Sequence, residues 1–352
     1  MDQSPAFSMM KAAIIREYKS PLEIVETETP VLSADEVLIK TEACGVCHSD
    51  LHLAQGEWPH LMKIIKPLLV LGHEVVGRVT AVGEAVEDVS IGDRVGVAWI
   101  HWACGECEVC LDGNENLCRK QMITGVTVDG GYAEMLKAKA SYVIKIPDAL
   151  SSEEAAPLFC AGVTVYRAIK LADIKQGQRV AVFGVGGLGH LAIQILSDLD
   201  VEIIAVDVSK DKLDLARQLG AMHIINAANE KASNQIRSIG GAHVAVVTAS
   251  STVAYTDALF SLRPSGTIVV VGLPAEPLTF SANALSSREA RIIASSVGTR
   301  QDVKEVLDLA AKGKIRCHIE TRSLENVNEV FEEMKQGRIT GRVVLAFNKK
   351  EQ

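Results

Sequence analysis

Residues 179–196 read RVAVFGVGGLGHLAIQIL and indicate the fold of the middle part of this chain. An apolar run of strand length leads into Gly184, Gly186 and Gly189, and an apolar helix-like segment follows. In a G-x-G-x-x-G turn the first glycine permits a tight turn. The second lets the backbone approach a pyrophosphate, and the third lets helix and strand pack closely. Glycine-rich turns are common, but this position between a strand and a helix predicts a dinucleotide-binding βαβ unit.

The alternation of strand-like and helix-like segments extends well beyond that turn. Apolar runs of the length of a buried parallel strand recur, and helix-like segments separate them. The runs are RVAVFG, VEIIAVD, MHIIN, HVAVVTA, GTIVVVG and ARIIASSV. This pattern predicts a doubly wound α/β sheet, a Rossmann domain, over residues 160–298.

The chain before this domain has a different pattern of apolar residues. Short runs rich in β-branched residues are separated by glycines and charges, which predicts an irregular β domain or barrel. The runs are KAAIIREY, LEIVETE, EVLIKTEA, EVVGRVTAVG and DRVGVAWI. After about residue 300 helix-like and strand-like stretches alternate, and we assign residues 299–352 together with 1–159 to this first domain. The predicted fold class is therefore α/β plus β.

Composition narrows the functional classes. Of the 352 residues 48% are hydrophobic and 23% charged, as in an ordinary globular protein. The net charge of -8 gives no support to nucleic-acid or acidic-membrane binding. No secretory signal or membrane-spanning run is apparent, so we expect a cytoplasmic protein. Its eight cysteines should then be reduced, and metal ligation becomes the leading explanation for clustered ones.

The clearest cluster is CGECEVCLDGNENLC, residues 104–118. Its thiols are those of Cys104, Cys107, Cys110 and Cys118. Four thiolates in one loop can close a tetrahedral shell around Zn²⁺ with no open position, which is typical of a structural site. An iron–sulfur cluster is an alternative, but the bacterial ferredoxin run has a different fourth spacing followed by proline. Disulfides are disfavoured by the expected compartment.

A second group of candidate ligands is scattered along the chain. Cys44 and Cys47 lie in CGVCHSDLH, where such a pair suits a redox dithiol, half of a zinc site or two small buried residues. His73 and Glu74 lie in LGHEVVG, and Cys160 stands at the junction of the two predicted domains. Two thiolates and an imidazole would leave a fourth position open, as in a catalytic zinc site facing a bound nicotinamide. Spacing alone does not decide this assembly.

The second strand of the predicted Rossmann domain ends at Asp207, eighteen residues after Gly189. A carboxylate at this position can accept both ribose hydroxyls of NAD and repels the 2′-phosphate of NADP. Lys212 could reach the same ribose. A helix-capping aspartate and a solvated lysine are the alternative interpretations.

The chain resembles the zinc-dependent medium-chain alcohol dehydrogenases, above all the tetrameric yeast and bacterial type. The resemblance runs from KAAIIREY to GRVVLAF, nearly the whole chain. Its motifs are CGVCHSDLH, GHEVVG, CGECEVCLDGNENLC, DGGYAE, CAGVTVY, GVGGLG and VGLP. It implies a GroES-like catalytic domain, two Zn²⁺ per chain, NAD as cofactor and a homotetramer. The implied reaction is reversible oxidation of primary and some secondary alcohols to aldehydes or ketones.

The resemblance also assigns the catalytic residues. The catalytic zinc falls on Cys47, His73 and Cys160, while Glu74 lies beside it and can exchange with the water ligand. Cys44 matches no ligand position and is interpreted as a small buried residue. Ser49 hydrogen-bonds the bound alcohol, and the proton passes through the nicotinamide ribose to His52 and then to solvent. Trp58 and Trp99 match substrate-pocket aromatics.

The residues implied to bind the cofactor fall in both domains. His48 and Arg342 contact the pyrophosphate, and Thr164 packs near the nicotinamide. The full set is His48, Thr164, Gly184, Gly186, Gly187, Leu188, Gly189, Asp207, Lys212, Val271 and Arg342. The chain departs from the family pattern in the segment 59–71, which is longer than in the yeast enzymes and carries leucine in place of proline before GHE.

Three other functions are alternatives for a chain with these motifs. A polyol, cinnamyl-alcohol or amino-acid-alcohol dehydrogenase shares the superfamily, but Asp207 argues against the NADP-linked cinnamyl branch. The pocket tryptophans favour small or medium apolar alcohols over sugars. A zinc-free relative of the quinone-reductase or crystallin kind would lack the thiolate ligands that this chain carries. A purely structural zinc module would have no use for the dinucleotide fingerprint.

Overall fold

The computed structural model describes residues 8–347, and the terminal segments 1–7 and 348–352 lie outside the described part of the chain. The chain divides into two compact units. The first comprises the residues through Cys160, Ile319–Arg338 and the stretch from Val343, and the second comprises Ala161–His318 and Ile339–Arg342.

The first unit contains most of the short strands and helices. Its strands before Cys160 are β1 (Met9–Ile15), β2 (Glu23–Glu28), β3 (Glu36–Val46), β4 (Leu69–Val70), β5 (Val75–Val82), β6 (Arg94–Val97), β7 (Ile100–Trp102), β8 (Met122–Ile123), β9 (Met135–Lys139) and β10 (Ile144–Lys145). Its α-helices there are α1 (His48–Ala54), α2 (Pro59–Met62), α3 (Glu108–Leu111) and α4 (Ser152–Ala155). Single 3₁₀ turns lie at Glu115–Leu117, Ala140–Tyr142 and Ala156–Phe159.

The second unit alternates helices and strands. These are α5 (Ala161–Leu171), β11 (Arg179–Phe183), α6 (Gly189–Ser197), β12 (Glu202–Asp207), α7 (Lys210–Gln218), β13 (His223–Asn226), α8 (Ala232–Ser238), β14 (Ala242–Val247), α9 (Thr252–Ser261), β15 (Leu262–Val270), α10 (Ala282–Ser286), β16 (Arg291–Ala294) and α11 (Arg300–Ala311). The chain then returns to the first unit through β17 (Ile319–Arg322), a 3₁₀ turn (Leu324–Asn326) and α12 (Val327–Lys335). It ends in β18 (Arg342–Ala346), which starts on the last residue of the second unit.

The six strands predicted for the Rossmann domain all form, in one sheet of order β13-β12-β11-β14-β15-β16. Every neighbouring pair in this sheet is parallel. The order reverses between β11 and β14, so the glycine-rich turn that follows β11 lies at the switch point where such sheets bind ligands. The prediction of a doubly wound sheet is confirmed.

The first unit is built around β3, which pairs antiparallel with β5, β9 and β18. The sheet has the order β10-β6-β5-β3-β18-β17, with β9 also paired to β3. A three-stranded sheet (β2-β1-β4) and a two-stranded one (β7-β8) complete the irregular β domain that the sequence predicts. The β3–β5 register sets Cys44 opposite Val75. This register brings the end of β3 next to the residues that precede β5.

The structure places residues 299–318 in the second unit, whereas the sequence analysis assigns them to the first. The reason is the packing of α11 on α5. Arg167 on α5 donates to the buried Asp302 of α11 at 2.8 Å, and Lys170 donates to the same carboxylate at 3.0 Å. Helical periodicity does not reveal which domain a helix packs against.

Within residues 8–347 there is no helix with the length and apolar character needed to cross a membrane.

Candidate active site and metal centres

Four potential ligands converge at the end of β3 and the start of β5. Atoms of Cys47, His73, Glu74 and Cys160 all lie within 4.8 Å of one another, and all four residues are buried. The thiol sulfurs of Cys47 and Cys160 are 3.9 Å apart. Cys47 is the N-cap of α1, and Cys160 directly follows the 3₁₀ turn Ala156–Phe159. The structure thus brings together the residues that the resemblance assigns to the catalytic zinc.

Asp50 organises this cluster from behind. Its Oδ1 lies 3.0 Å from His73 Nδ1 and accepts from the Gly72 N–H at 3.2 Å. Its Oδ2 accepts from the Cys47 N–H at 3.0 Å and from the Tyr132 hydroxyl at 2.9 Å. Burial and the Asp50 charge raise the pKa of Tyr132 well above its ordinary value, so the phenol keeps its proton as donor. Asp50 is fully buried, and four donors compensate for its desolvation.

His73 fits a metal on its remaining nitrogen. Because Nδ1 donates to Asp50, Nε2 is the ring atom left to bind a ligand, and it is buried with no hydrogen-bond partner among residues 8–347. Burial lowers the pKa of His73, but the Asp50 carboxylate outweighs this effect and holds the pKa well above its ordinary value. A cation bound at Nε2 would replace the proton that the carboxylate attracts.

The glutamate of this cluster depends on a glycine. A Cβ atom added at Gly45 would fall 1.8 Å from Glu74 Oε2, so the Glu74 side chain lies directly against the β3 backbone. The Gly45 N–H also donates to the Glu74 carbonyl at 3.0 Å. Any larger residue at position 45 would push the carboxylate out of the cluster.

Cys44 lies outside the four-residue cluster although it is only three positions from Cys47. Its sulfur donates to the Gly45 carbonyl at 3.7 Å. A Cβ added at Gly72 would meet it at 2.8 Å, and one added at Gly131 would meet it at 3.1 Å. Cys44 therefore packs as a small buried side chain between two glycine backbones.

Helix α1 also presents the residues that the resemblance assigns to proton transfer. His52 Nδ1 lies 2.5 Å from a Glu57 carboxylate oxygen, and the exposed fractions of the two side chains are 16% and 41%. Ser49 stands one helical turn before His52, and His48 is exposed. With Glu57 accepting the hydrogen on Nδ1, the other ring nitrogen is left to accept a proton.

The two predicted pocket tryptophans each contact a histidine of the site. Trp58 is tilted 31° to the His52 ring, with centroids 5.2 Å apart. Trp99 stands edge-on to His73, with centroids 4.9 Å apart and an interplanar angle of 87°. Both aromatics therefore border the residues that would hold the alcohol and its proton.

The long segment 59–71 folds into α2 and β4. Asp129 holds this segment in place, because its carboxylate accepts from Lys66 Nζ at 2.5 Å and from the Val70 N–H at 3.0 Å. The segment thereby delivers the chain to Gly72, whose φ of +93° and contact with Tyr132 require glycine.

The four cysteines of the loop after β7 form a second cluster. Their sulfurs also lie within 4.8 Å of one another, and the Cys118–Cys104 distance is 3.6 Å. Backbone N–H groups of Glu106 and Cys107 lower the pKa of Cys104 to about 6. Burial and the neighbouring Cys107 raise the pKa of Cys110 to about 12. Four such thiols cannot all ionise together unless a cation compensates them, and a tetrahedral Zn²⁺ suits the donor set.

The glycine-rich turn has the three features that a dinucleotide requires. Gly184 has a φ of +94°, which favours glycine. A Cβ at Gly189 would fall 1.8 Å from the Gly184 carbonyl oxygen, so helix and strand approach too closely for any side chain. A Cβ at Gly186 would meet nothing within 4 Å, which leaves open space where a pyrophosphate can approach the backbone.

Asp207 is anchored at the end of β12 by backbone donors. Its Oδ2 accepts from Val185 N–H at 2.7 Å, and its Oδ1 accepts from Val208 and Ser209 N–H groups at 2.8 and 2.9 Å. The carboxylate is thus fixed beside the glycine-rich turn, where a ribose would lie. Lys212 is half-buried in the first turn of α7.

The remaining cofactor candidates occupy three places in the second unit. Arg342 is buried, and a Cβ at Gly187 would fall 2.4 Å from its Cδ atom. The neighbouring Leu188 is the N-cap of α6. Thr164 lies buried in α5, and its hydroxyl has no hydrogen-bond partner among the described residues. Val271 follows β15 and donates to the Val247 carbonyl at 3.2 Å.

Several functional contacts have no counterpart in the sequence analysis. Asp50 and Tyr132 lie inside the motifs CGVCHSDLH and DGGYAE, but neither motif by itself indicates that the two side chains meet. Thr248 donates to the Gly184 carbonyl at 2.7 Å and supports the turn from β14. For Glu57 the only signal is its spacing of five residues from His52.

Comparisons with known proteins agree with this geometry. A family model described as an alcohol dehydrogenase GroES-like domain matches residues 33–148, and one described as a zinc-binding dehydrogenase matches residues 187–312. An alcohol dehydrogenase of Geobacillus stearothermophilus is 48% identical over 339 residues, which cover 96% of this chain and 99% of that protein.

Two solved structures share the fold over nearly the whole chain. The alcohol dehydrogenase of the archaeon Aeropyrum pernix superposes with a TM-score of 0.90 at 35% identity, covering 96% of this chain and 100% of that one. Acetophenone reductase from Geotrichum candidum, solved in complex with NAD, gives a TM-score of 0.87 at 32% identity, with 96% and 97% covered. The chain therefore belongs to the zinc-dependent medium-chain alcohol dehydrogenase family.

Proposed function

We propose that this protein oxidises primary and some secondary alcohols reversibly to aldehydes or ketones, with NAD⁺ as hydride acceptor and two Zn²⁺ per chain. The observation that carries the proposal is the buried convergence of Cys47, His73 and Cys160 within 4.8 Å. Two thiolates and one imidazole form a three-ligand set, which leaves one position for substrate.

Zinc and NAD⁺ would each supply one part of the chemistry. Bound zinc is a Lewis acid that lowers the pKa of a coordinated alcohol, and NAD⁺ accepts the hydride. The protein supplies the ligands and their orientation. Cys47 and Cys160 would balance the metal charge, and Asp50 fixes the His73 ring so that Nε2 serves as ligand. Glu74 belongs to the same cluster, and its carboxylate would be a further oxygen ligand for the metal.

Helix α1 would remove the proton that the alcohol loses. Ser49 is the group proposed to hydrogen-bond the alcohol hydroxyl. His52 then takes the proton on its free nitrogen and releases it to solvent, because Glu57 holds the other nitrogen in its protonated form. The partial exposure of His52 supports a role at the exit of this path.

NAD⁺ in place of NADP⁺ is supported by Asp207. Its oxygens already accept three backbone hydrogen bonds, and its negative charge would oppose a 2′-phosphate. Gly186 provides the open backbone for the pyrophosphate. The four-cysteine cluster would hold the second, structural zinc.

We also propose a cytoplasmic homotetramer, as the resemblance implies. The outer strand β16 of the six-stranded sheet offers an edge to a second copy, and Ile292 on it is 39% exposed. Light scattering should give the mass of four chains; a monomer in solution would contradict this part of the proposal.

The decisive experiment combines turnover with metal content. Purified protein should reduce NAD⁺ with a panel of primary, secondary and aromatic alcohols and contain two zinc ions per chain by mass spectrometry, one for each cluster. Cys47→Ala should abolish turnover and lose one zinc, while NADH binding and fold persist. Cys44→Ala is the matched control and should keep both zinc ions and most activity. A fully active Cys47→Ala enzyme would refute the proposal.

A further inference from the structure

Two side chains of α6, His190 and Gln194, are hydrogen-bonded to a distant stretch of backbone. Gln194 Oε1 accepts from the Arg316 N–H at 2.8 Å, and Gln194 Nε2 donates to the Arg316 carbonyl at 3.0 Å. His190 Nε2 accepts from the His318 N–H at 3.1 Å. Residues four apart lie on one face of a helix, so the two side chains bind residues 316–318 much as a neighbouring strand would.

The hydrogen bonds of His190 define its tautomer. A backbone N–H can only donate, so Nε2 carries no hydrogen and Nδ1 carries it. Nδ1 therefore donates to the Gly186 carbonyl oxygen, 2.9 Å away, inside the glycine-rich turn. Burial lowers the pKa of His190 to about 4, the bond to Gly186 opposes this effect, and the nearby Arg342 and His318 add to it. The ring is neutral at neutral pH and binds the turn on one side and His318 on the other.

The same backbone also supports Arg342. The Arg342 N–H donates to the His318 carbonyl at 2.9 Å, while the Arg342 side chain lies against Gly187. The preceding residue, Gly341, has a φ of +79°, and a Cβ added to it would fall 2.2 Å from the His318 carbonyl oxygen. The backbone of His318 therefore makes two hydrogen bonds: its N–H donates to His190, and its carbonyl accepts from Arg342.

We propose that His190 and Gln194 are positioning residues that hold Arg342 on the glycine-rich turn and so determine how tightly the protein binds a dinucleotide pyrophosphate. The inference rests on the proposed function, because it takes Arg342 as the cation that meets the pyrophosphate. A guanidinium binds phosphate oxygens in a fixed planar fork. A shift of its backbone support therefore costs contacts even when the arginine itself is intact.

Two conservative variants separate the two bonds of His190. His190→Gln places an amide oxygen near the position of Nε2 and can keep the bond from His318. His190→Asn places an amide N–H near Nδ1 and can keep only the bond to Gly186. If His190 acts through His318 and Arg342, His190→Asn should weaken NADH binding roughly tenfold, the loss of one charge-assisted contact, and His190→Gln should bind like wild type. NADH fluorescence measures both without turnover.

A double-mutant cycle then tests the route. In an Arg342→Met background, His190→Asn should cause little further loss of NADH affinity, because the contact it supports is already gone. Gln194→Met, which releases Arg316, should weaken NADH binding in the same direction as His190→Asn. Adenosine, measured as a competitor of NADH, carries no phosphate and should bind all variants equally.

Each result bears on the proposal. Unchanged NADH affinity in both His190→Asn and Gln194→Met would overturn it, as would a loss that persists undiminished in the Arg342→Met background. Greater loss in His190→Gln than in His190→Asn would assign the role to Gly186 instead and also overturn it. If circular dichroism shows that either His190→Asn or Gln194→Met does not fold, the NADH affinity of the other variant tests the proposal. Failure of the wild type to bind NADH would refute the proposed function itself.

Discussion

Asp50 and His73 form a hydrogen bond of 3.0 Å in which both side chains are fully buried. The pair links the first turn of α1 to His73, which precedes β5. Because Asp50 holds Nδ1, Nε2 is the ring nitrogen available to bind a metal. A buried carboxylate of this kind also raises the basicity of the ring that it holds. The affinity of the catalytic site for zinc should therefore depend on Asp50, although Asp50 is not itself a ligand.

Replacing Asp50 should weaken metal binding selectively. In Asp50→Asn the amide N–H₂ group faces one of the donors that the carboxylate accepts, and the negative charge behind His73 is lost. We expect the affinity of the catalytic zinc to fall about 10–100-fold, with the structural zinc retained. Zinc release during chelator titration measures both. Asp35→Asn, on an exposed carboxylate paired with Lys139, is the control and should change nothing. Equal zinc retention in both variants would contradict the prediction.

Removing the carboxylate at position 207 should change cofactor preference. Asp207→Gly deletes the charge that opposes a 2′-phosphate and the acceptor for Val185 N–H. We expect the preference for NAD⁺ over NADP⁺, taken as the ratio of kcat/KM values, to drop roughly tenfold or more. Asp211→Gly, a nearby exposed acidic residue in the first turn of α7, is the control. A ratio that stays constant in Asp207→Gly would remove this residue from the ribose site.

The hydrogen bond between His52 and Glu57 should affect turnover more than binding. Glu57→Gln keeps the length of the side chain but replaces the charged acceptor of the Nδ1 hydrogen. Because the pair is partly exposed, we expect kcat to fall only about two- to fivefold, with NADH affinity unchanged. Steady-state kinetics of Glu57→Gln beside Glu87→Gln, an exposed glutamate elsewhere, test this expectation. If Glu57→Gln has the same kcat as Glu87→Gln, Glu57 has no role in proton transfer through His52.

The Rossmann sheet could be predicted because its signals are local. Each strand is a continuous apolar run, and Gly184, Gly186 and Gly189 are needed within six residues of one another. The metal ligands could be named only through the family resemblance, since the β3–β5 register that unites Cys47 with His73 is a tertiary feature.

The supporting contacts could not be predicted from local sequence at all. Tyr132 lies 82 positions from Asp50, and His318 lies 128 positions from His190. No periodicity links residues that far apart. The same limit explains the domain boundary. The sequence of α11 is an ordinary amphipathic one, and its place in the second unit follows from tertiary contacts such as the ion pair of Asp302 with Arg167.

That ion pair should be a major source of stability. Asp302 is 1% exposed and accepts hydrogen bonds from Arg167, from Lys170 and from both the N–H and hydroxyl of Thr299, the N-cap of α11. Asp302→Ala removes the buried carboxylate that accepts from the Arg167 guanidinium, which is only 11% exposed. We expect the free energy of unfolding to fall by about 3–5 kcal/mol. Glu305→Gln, whose carboxylate is 31% exposed, should cost less than about 1 kcal/mol.

The stabilisation by Asp302 should also depend on pH in a defined direction. Burial raises the pKa of Asp302, but the hydrogen bonds from the Thr299 N–H, Arg167 and Lys170 outweigh burial, so the pKa in the folded protein lies below the ordinary value of 3.8. Protonation in the unfolded state comes first as the pH falls. The stability difference between wild type and Asp302→Ala should therefore be constant above about pH 5 and shrink below about pH 4. Thermal unfolding across this range measures it, and a difference that grows on acidification would exclude an ionised Asp302 in the folded protein.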